Sequence, residues 1–230
     1  GGPNAFGGII SCLGLYCIPN LKGYLKDFII FVSLLACFFT YSRAALVVFV
    51  MLLLFYVTLN KDYLRSLTIM ITLLITINFG LIDRFTSESE TEGVEDRVLM
   101  QQASFKDIST RSFQENIFGY GFDNFGIVRN ELKSNDDFSE DLRPTGPHNS
   151  FLFIILNYGF FGLFLFLNIF FKEFMTFLKS FNDNLVKSNY LFLGGFVALS
   201  FTGDFIQNHS ISVLFFLIFF QLVFERTHER

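Results

Sequence analysis

His148 stands where a polar stretch gives way to an apolar one, in the segment RPTGPHNSFL at residues 143–152. Pro147 ends any preceding regular structure, and Asn149 or Ser150 can cap the helix that follows. A helix N-terminus disfavours a charged imidazolium and accepts an anion such as phosphate. His148 is therefore a candidate general base that accepts a proton near neutral pH. The competing interpretation is a polar side chain at the level of the lipid headgroups.

Arg43 lies in TYSRAALVVF, residues 40–49, in a short turn between two apolar segments. An arginine at such a depth is costly unless it has an anionic partner. Its guanidinium group is suited to a phosphate or a carboxylate. The alternative is a side chain that snorkels to the membrane interface, and the sequence leaves both interpretations open.

Arg97 and Asp204 are two further charged candidates for the site. Arg97 lies on a predicted loop helix, where a single charged residue is usually part of a solvated face. Asp204 interrupts an apolar stretch, FTGDFIQNHSIS at residues 201–212. An ionisable residue within such a stretch favours a functional hypothesis, in which Asp204 orients a basic residue or acts as a base. For His209 an ordinary outer turn is the better interpretation.

Motifs for metal-dependent or hydrolytic chemistry are missing from the sequence. The two histidines of the predicted outer face lie in separate segments without ligand spacing, and there is no Asp-x-Asp motif. A Gly-x-Ser-x-Gly motif is also missing. We therefore predict no metal and no cofactor.

These candidate residues must be positioned by apolar helices. The chain has 230 residues, of which 52% are hydrophobic and 35 are phenylalanine, and its mean hydropathy is +0.48. Long uncharged runs dominate the chain, and about 20 such residues cross a bilayer as a helix. We predict an all-α fold, a polytopic transmembrane helix bundle with one long periplasmic loop that contains a helix. The predicted spans are 5–19, 26–41, 43–59, 66–82, 148–171, 190–204 and 209–224.

The charges of the connecting segments predict the topology. Residues 83–147 hold 14 of the 21 acidic residues but only seven of the 17 basic ones, and this acidic loop argues against nucleic acid as a partner. We expect transmembrane helices in 1–82 and 148–230, a periplasmic loop in 83–147 and a loop helix over 94–113. The positive-inside rule places the basic short loops in the cytoplasm, with Lys22, Lys26, Lys61, Arg65, Lys172, Lys179, Lys187, Arg226 and Arg230.

The chain begins with Gly1 and shows neither a charged n-region nor a cleavage site. We therefore expect no signal peptide, and we expect further helices upstream of this sequence.

Taken in order, these segments resemble the C-terminal portion of the O-antigen ligase and O-antigen polymerase superfamily of bacterial membrane glycosyltransferases. The resemblance covers nearly the whole chain. It departs at Ala44 and Ala45, where the family often has glycine. The matching motifs are Pro3-Asn4, Ser42-Arg43-Ala44, Arg97, Gly119-Tyr120-Gly121, His148-Asn149 and Gly159-Phe160-Phe161-Gly162.

The resemblance implies an enzyme of the bacterial inner membrane that uses an undecaprenyl-pyrophosphate-linked glycan. A hydroxyl of a glycan or lipid acceptor attacks the anomeric carbon without a metal and with inversion. Arg43 and Arg97 would then neutralise the leaving pyrophosphate, and His148 would take the acceptor's proton or position the acceptor. The expected partners also include the lipid bilayer and a chain-length regulator. Predicted substrate-binding residues are Asn149, Asp204, Arg111 and Arg143.

Three functions are weighed on this basis. The leading hypothesis is a polymerase that joins lipid-linked repeat units of O-antigen or another surface polysaccharide. The alternative is a ligase that transfers the glycan to lipid A–core or to a protein hydroxyl. The third is a flippase that moves the lipid-linked glycan without chemistry. A transporter predicts charges within helices and broken helices near the midplane. This chain instead keeps almost all its charges at helix ends and in one outer loop.

Overall fold

Helices and no strand are found in the part of the chain that the structure describes, which confirms the all-α prediction. The structure is a computed structural model, and it describes residues 3–40, 42–63, 65, 69, 91–121, 147–179, 183–201, 203, 213 and 215–217. In chain order the helices are α1 (Pro3–Cys17), a 3-10 turn (Ile18–Asn20), α2 (Gly23–Phe39), α3 (Arg43–Leu59), α4 (Thr91–Thr110), α5 (Phe113–Phe118), α6 (Ser150–Lys179) and α7 (Asn184–Ser200).

Some predictions fall outside the described residues. These are Arg143, Asp204 and most of the predicted spans at 66–82 and 209–224.

One described helical stretch is long and apolar enough to cross a membrane, Ser150–Lys172 within α6. Two further apolar helices, Phe6–Asn20 and Arg43–Leu59, are shorter. The polytopic arrangement and the periplasmic position of the long loop stay predictions.

The chain divides into two compact units. Unit 1 comprises Gly1–Ile82, Lys172–Leu199 and Phe205–Arg230. Unit 2 comprises Asp83–Phe171 and Ser200–Asp204.

Unit 1 contains α1, α2 and α3, and α1 packs against both of the others. Large side chains such as Phe49 and Leu53 are fully buried between them. A Cβ at Gly7 would lie 2.5 Å from the Thr40 hydroxyl oxygen and 2.9 Å from the Cβ of Ser42. Such close approach at a small residue is typical of helices that pack by van der Waals contact in a membrane.

Polar side chains join the loops at one end of unit 1. Lys26, Lys187 and Arg65, three of the predicted cytoplasmic basic residues, take part in this network. Arg43 begins α3 at its other end, about 25 Å along the helix axis from Leu59. The hydrogen bonds are Asn20 Nδ2 to Ser188 Oγ (2.9 Å), Lys26 Nζ to Tyr56 Oη (2.9 Å), Lys187 Nζ to Asn60 Oδ1 (3.0 Å) and Arg65 Nε to Asp27 Oδ1 (2.6 Å).

Unit 2 contains α4, α5 and the first part of α6. The α4 helix covers most of the predicted loop helix, but the chain leaves it at Arg111 and starts α5 two residues later. Ser112 and Glu115 form a capping box at this second start, in which the Ser112 N–H donates to the Glu115 carboxylate at 2.9 Å. Hydrogen bonds from Ser112 lower the pKa of Glu115 below its ordinary value, as expected for an acid at a helix start.

The α6 helix changes character at Gly159, whose φ of 68° and ψ of −174° are not helical. Before this break most apolar side chains are buried, as for Phe153 and Leu156. After it many are exposed, including Phe164 and Phe171. The second half of α6 therefore presents an apolar surface suited to lipid, whereas the first half is covered by protein.

Candidate functional site

The start of α6 is built around Asn149 and His148. The Oδ1 atom of Asn149 accepts hydrogen bonds from the backbone N–H groups of Phe151 (3.0 Å) and Leu152 (3.2 Å). Asn149 is therefore the N-cap, and His148 lies just outside the helix N-terminus, as predicted. Asn149 is also a predicted substrate-binding residue. The oxygen of its side-chain amide already accepts the two capping hydrogen bonds.

His148 has a positive backbone φ of 49°. Its side chain is half-buried, and the preceding Pro147 is buried. A left-handed conformation costs an L-residue roughly 1–2 kcal/mol. Such conformations persist where the surrounding structure fixes them and are enriched at functional sites. This observation supports a specific task for the imidazole.

The polar break before Asp204 lies against the same helix start. The Ser150 hydroxyl donates to the Gly203 carbonyl at 2.9 Å, and the rings of Phe151 and Phe201 lie with centroids 4.5 Å apart. Two segments that the sequence placed on the outer face are therefore adjacent in unit 2. The role of Asp204 itself stays a prediction.

Arg97 lies on α4 and is exposed. Ser104 lies seven positions after Arg97, which corresponds to nearly two full helical turns, so both lie on one side of α4. Ser104 is buried, and Met100 packs with Leu156 of α6. Arg97 is thus one turn before the residues by which α4 contacts α6.

Arg43 is the first residue of α3 and is half-buried. The Ser42 hydroxyl caps the helix by accepting from the Ala45 N–H at 3.4 Å. The serine of the Ser-Arg-Ala motif therefore fixes the backbone that carries Arg43. Arg43 belongs to unit 1, whereas Arg97 and His148 belong to unit 2, and the convergence of all three stays a prediction.

Arg111, predicted to bind substrate, is held by protein groups. Its side chain is 1% exposed and pairs with Asp107, 3% exposed, and Nε donates to Asp107 Oδ2 at 2.6 Å. Nη1 donates to the Leu156 carbonyl at 3.2 Å. The guanidinium lies 3.8 Å from the centre of the Tyr120 ring. We call this group of Arg111, Asp107 and Tyr120 the arginine clasp.

The Gly119-Tyr120-Gly121 turn docks onto the break in α6. The N–H groups of Tyr120 and Gly121 donate to the carbonyls of Leu156 (3.0 Å) and Asn157 (2.8 Å). A Cβ at Gly119 would lie 2.4 Å from the Asn157 carbonyl oxygen, so no larger residue allows this approach. The turn therefore supplies donors to carbonyls beside a non-helical residue, where the helix cannot satisfy them.

Tyr120 completes the clasp through its hydroxyl, which donates to Asp107 Oδ1 at 3.3 Å. Burial and the nearby Asp107 carboxylate raise the pKa of Tyr120 above its ordinary value of 10.0. Tyr120 therefore stays a neutral donor to the carboxylate at physiological pH.

Sequence reasoning missed Asp107 and the pairing of the two glycine motifs. Asp107 lies on the predicted loop helix, where a charged residue is usually part of a solvated face. The available signal was its i, i+4 spacing to Arg111, together with its position on the buried stripe that runs from Met100 through Ser104. The positive φ of Gly159 had no comparable signal, because glycine also occurs within regular membrane helices.

Comparison with known proteins gives one match. A family model described as O-antigen ligase matches residues 28–167, which is more than half of the chain. This segment includes Arg43, Arg97 and His148, as well as the clasp and the break in α6. No curated protein and no solved structure matches the chain.

Proposed function

The chain belongs to the O-antigen ligase family, and we propose that it transfers a lipid-linked glycan to an acceptor hydroxyl at the outer face of the bacterial inner membrane. The family relationship supports glycan transfer of the ligase and polymerase type in a membrane protein. The donor in this proposal is an undecaprenyl-pyrophosphate-linked oligosaccharide. Its acceptor is a glycan or a lipid.

The proposed reaction is a single displacement. The acceptor oxygen forms a bond to the anomeric carbon, and the bond from that carbon to the pyrophosphate oxygen breaks. The acceptor proton passes to the imidazole of His148, and the lipid pyrophosphate leaves with the bonding electron pair. Attack from the face opposite the leaving group inverts the anomeric configuration.

Negative charge develops on the pyrophosphate as it leaves. Guanidinium groups that are already oriented stabilise such charge most in the transition state. Arg43 and Arg97 have this role in the proposal. Asn149, Asp204 and Arg143 are the proposed substrate-binding residues. Arg111, the fourth residue predicted to bind substrate, is instead engaged by Asp107 and the Leu156 carbonyl.

One observation carries the proposal. The family match spans residues 28–167, and it therefore includes all three residues to which the sequence assigned chemistry, Arg43, Arg97 and His148. The local geometry of two of them is consistent with this assignment. Arg43 follows a serine cap on α3, and His148 is held in an uncommon backbone conformation beside the α6 cap.

The acceptor distinguishes the two versions of the reaction. Polymerisation uses another lipid-linked repeat unit as acceptor and gives a longer lipid-linked glycan. Ligation uses lipid A–core as acceptor, and the family relationship supports glycan transfer of either kind. The chemistry at Arg43, Arg97 and His148 is the same in both. A chain-length regulator as partner stays a prediction that belongs to the polymerase version.

Transport without chemistry is less well supported. A broken helix such as α6 is a feature that transporters use to bind ions and substrates with freed backbone groups. Here the carbonyls of Leu156 and Asn157 beside the break already accept hydrogen bonds from Tyr120 and Gly121. They are therefore engaged by protein donors in this structure.

The decisive experiment uses purified full-length protein with a synthetic undecaprenyl-pyrophosphate glycan and two acceptors, offered separately: a second donor molecule and lipid A–core. The proposal expects a product with either acceptor in the absence of an ion gradient, and the productive acceptor identifies the version. Alanine at Arg43, Arg97 or His148 is expected to lower the transfer rate on the order of 100- to 1,000-fold. Lys106→Ala, which removes an exposed charge from α4, is the control and should retain it. Full transfer by all three site variants would refute the assignment.

A further inference from the structure

The arginine clasp connects the two helices of unit 2 that carry proposed catalytic residues. Asp107 and Arg111 lie on α4, and Arg111 reaches the Leu156 carbonyl of α6. The same α4 carries Arg97, and α6 begins directly after His148 and Asn149. Contacts that fix α4 on α6 therefore also fix the backbone positions from which Arg97 and His148 project.

The burial of the clasp argues against a direct role in substrate binding. The side chains of Arg111 and Asp107 are 1% and 3% exposed. The Tyr120 ring covers the guanidinium at 3.8 Å, and its hydroxyl bonds Asp107. An arginine binds a pyrophosphate through N–H groups directed at it, whereas this guanidinium is directed at a carboxylate and a backbone carbonyl.

A buried ion pair adds little net stability, but its hydrogen bonds fix the relative position of the groups that it joins. Removing two charges from water costs about as much as their attraction returns, so apolar residues stabilise a contact equally well. Apolar contacts, however, allow two helices to slide, whereas a guanidinium that is bound on one side to a carboxylate and on another to a single carbonyl defines one register. Register matters here, because a misplacement of about 1 Å at a catalytic group lowers turnover on the order of 100-fold.

We propose that Arg111 and Asp107 are positioning residues, which hold α4 against the break in α6 so that Arg97 and His148 keep a fixed separation during glycan transfer. Tyr120 contributes in two ways. Its ring covers the ion pair, and its backbone N–H donates to the Leu156 carbonyl at the α6 break. This inference rests on the proposed function. It adds residues that act through Arg97 and His148 and do not touch the substrate.

The test compares Asp107→Asn with Arg111→Gln in the full-length protein. Because each variant opens the same clasp, both are expected to lower kcat on the order of 100-fold and to leave KM for the donor within about twofold. If Arg111 instead binds the donor, Arg111→Gln raises KM while Asp107→Asn, which leaves the guanidinium in place, does not. That divergence would overturn the proposal. Lys106→Gln, which removes an exposed charge from the same helix, is the matched control.

A second measurement separates positioning from loss of fold. In an Arg97→Ala background, opening the clasp should lower the residual rate no further, because the group that it positions is already gone. Additive losses would overturn the proposal. Tyr120→Phe removes only the hydroxyl that bonds Asp107, so it is expected to fold and to show a smaller decrease in kcat.

Hydrogen exchange provides a readout that does not require activity. The amides of Tyr120 and Gly121 donate into the α6 break, and their protection should be lost in Asp107→Asn and in Arg111→Gln but kept in Lys106→Gln. If hydrogen-exchange protection of the Tyr120 and Gly121 amides is unchanged in Asp107→Asn and Arg111→Gln, the clasp does not hold this turn against α6 and the proposal is wrong. An absence of transfer by the wild-type protein, together with the expected exchange result, would count against the proposed function alone.

Discussion

The backbone of His148 predicts an unusual response to substitution. With φ at 49°, this residue occupies a region that glycine enters without penalty and that other L-residues avoid. Replacing His148 by either glycine or alanine removes the imidazole, so a comparison of the two variants isolates the backbone. We expect His148→Gly to be the more stable protein, although both are expected to lose transfer activity.

The magnitude follows from two opposing terms. Relief of the left-handed conformation favours glycine by roughly 1–2 kcal/mol. The greater freedom of glycine in the unfolded chain returns about 0.5–1 kcal/mol. His148→Gly should therefore exceed His148→Ala by about 0.5–1 kcal/mol in free energy of unfolding. For a chain of this length that difference corresponds to about 1–4 °C in the thermal midpoint.

The assay is thermal unfolding of detergent-solubilised protein at one fixed scan rate, since membrane proteins rarely refold on cooling. Lys106, an exposed residue within α4, provides the matched pair. There glycine should be less stable than alanine by about 1 kcal/mol, which is the opposite sign. If glycine is also the less stable variant at His148, the argument from backbone strain is wrong. His148→Asn is expected to lie between the two, because asparagine tolerates the left-handed region better than alanine does.

Three further predictions concern Gly159, Asn149 and Tyr120. A Cβ at Gly159 would lie 2.1 Å from a backbone carbonyl oxygen, so Gly159→Ala should lower the free energy of unfolding by about 3 kcal/mol or more. Gly194→Ala, whose added Cβ would lie 3.7 Å from its nearest neighbour, should gain up to about 1 kcal/mol within helix α7 in the same thermal assay, and equal losses in the two variants would contradict this account of the break. Asn149→Ala should lose about 1 kcal/mol of cap energy, whereas Asn149→Ser keeps a capping oxygen and should match the wild-type midpoint. If the Asn149 amide also binds substrate, the serine variant raises KM despite its normal stability; an unchanged KM would leave Asn149 as a cap only. Because the pKa of Tyr120 is raised, the stability that its neutral form contributes is complete below the unfolded value of 10.0 and is lost as pH rises through the folded value. In Asp107→Asn the titration midpoint of Tyr120 should fall, as measured by near-ultraviolet absorbance against Tyr120→Phe, and an unshifted midpoint would show that burial alone raises it.

The all-α class and the starts of the helices that carry the chemical motifs could be predicted from the sequence, because both depend on local patterns. The apolar runs predicted helices over 43–59 and 148–171, with Asn149 or Ser150 as the cap of the second. The structure has α3 at Arg43–Leu59 and an α6 that is capped by Asn149. The loop helix was predicted over 94–113, but its end at Thr110 was not predicted, because the Ser112-Glu115 capping box starts a second helix there.

Contacts between distant segments could not be predicted in the same way. Arg111 resembles a surface arginine on a polar helix, and it is buried through its contacts with Tyr120 and with Leu156, 45 positions later. The same limit applies to the His148 backbone, because a positive φ at a histidine has no sequence signature. Local chemistry identified the residues of interest, whereas their roles depend on partners that periodicity does not reveal.

At the break at Gly159, the polar loop is hydrogen-bonded to the helix that contains the proposed membrane span. A carbonyl left without a donor in an apolar environment costs several kcal/mol, and a non-helical residue in α6 leaves two of them to be satisfied from outside the helix. The amides of Tyr120 and Gly121 and the guanidinium of Arg111 supply those donors. The break is therefore tolerated only while the segment from α4 to Gly121 is folded against it, so this segment is required for the fold of α6. The same requirement explains the buried ion pair of this segment, because Asp107 holds the Arg111 guanidinium where it reaches the Leu156 carbonyl.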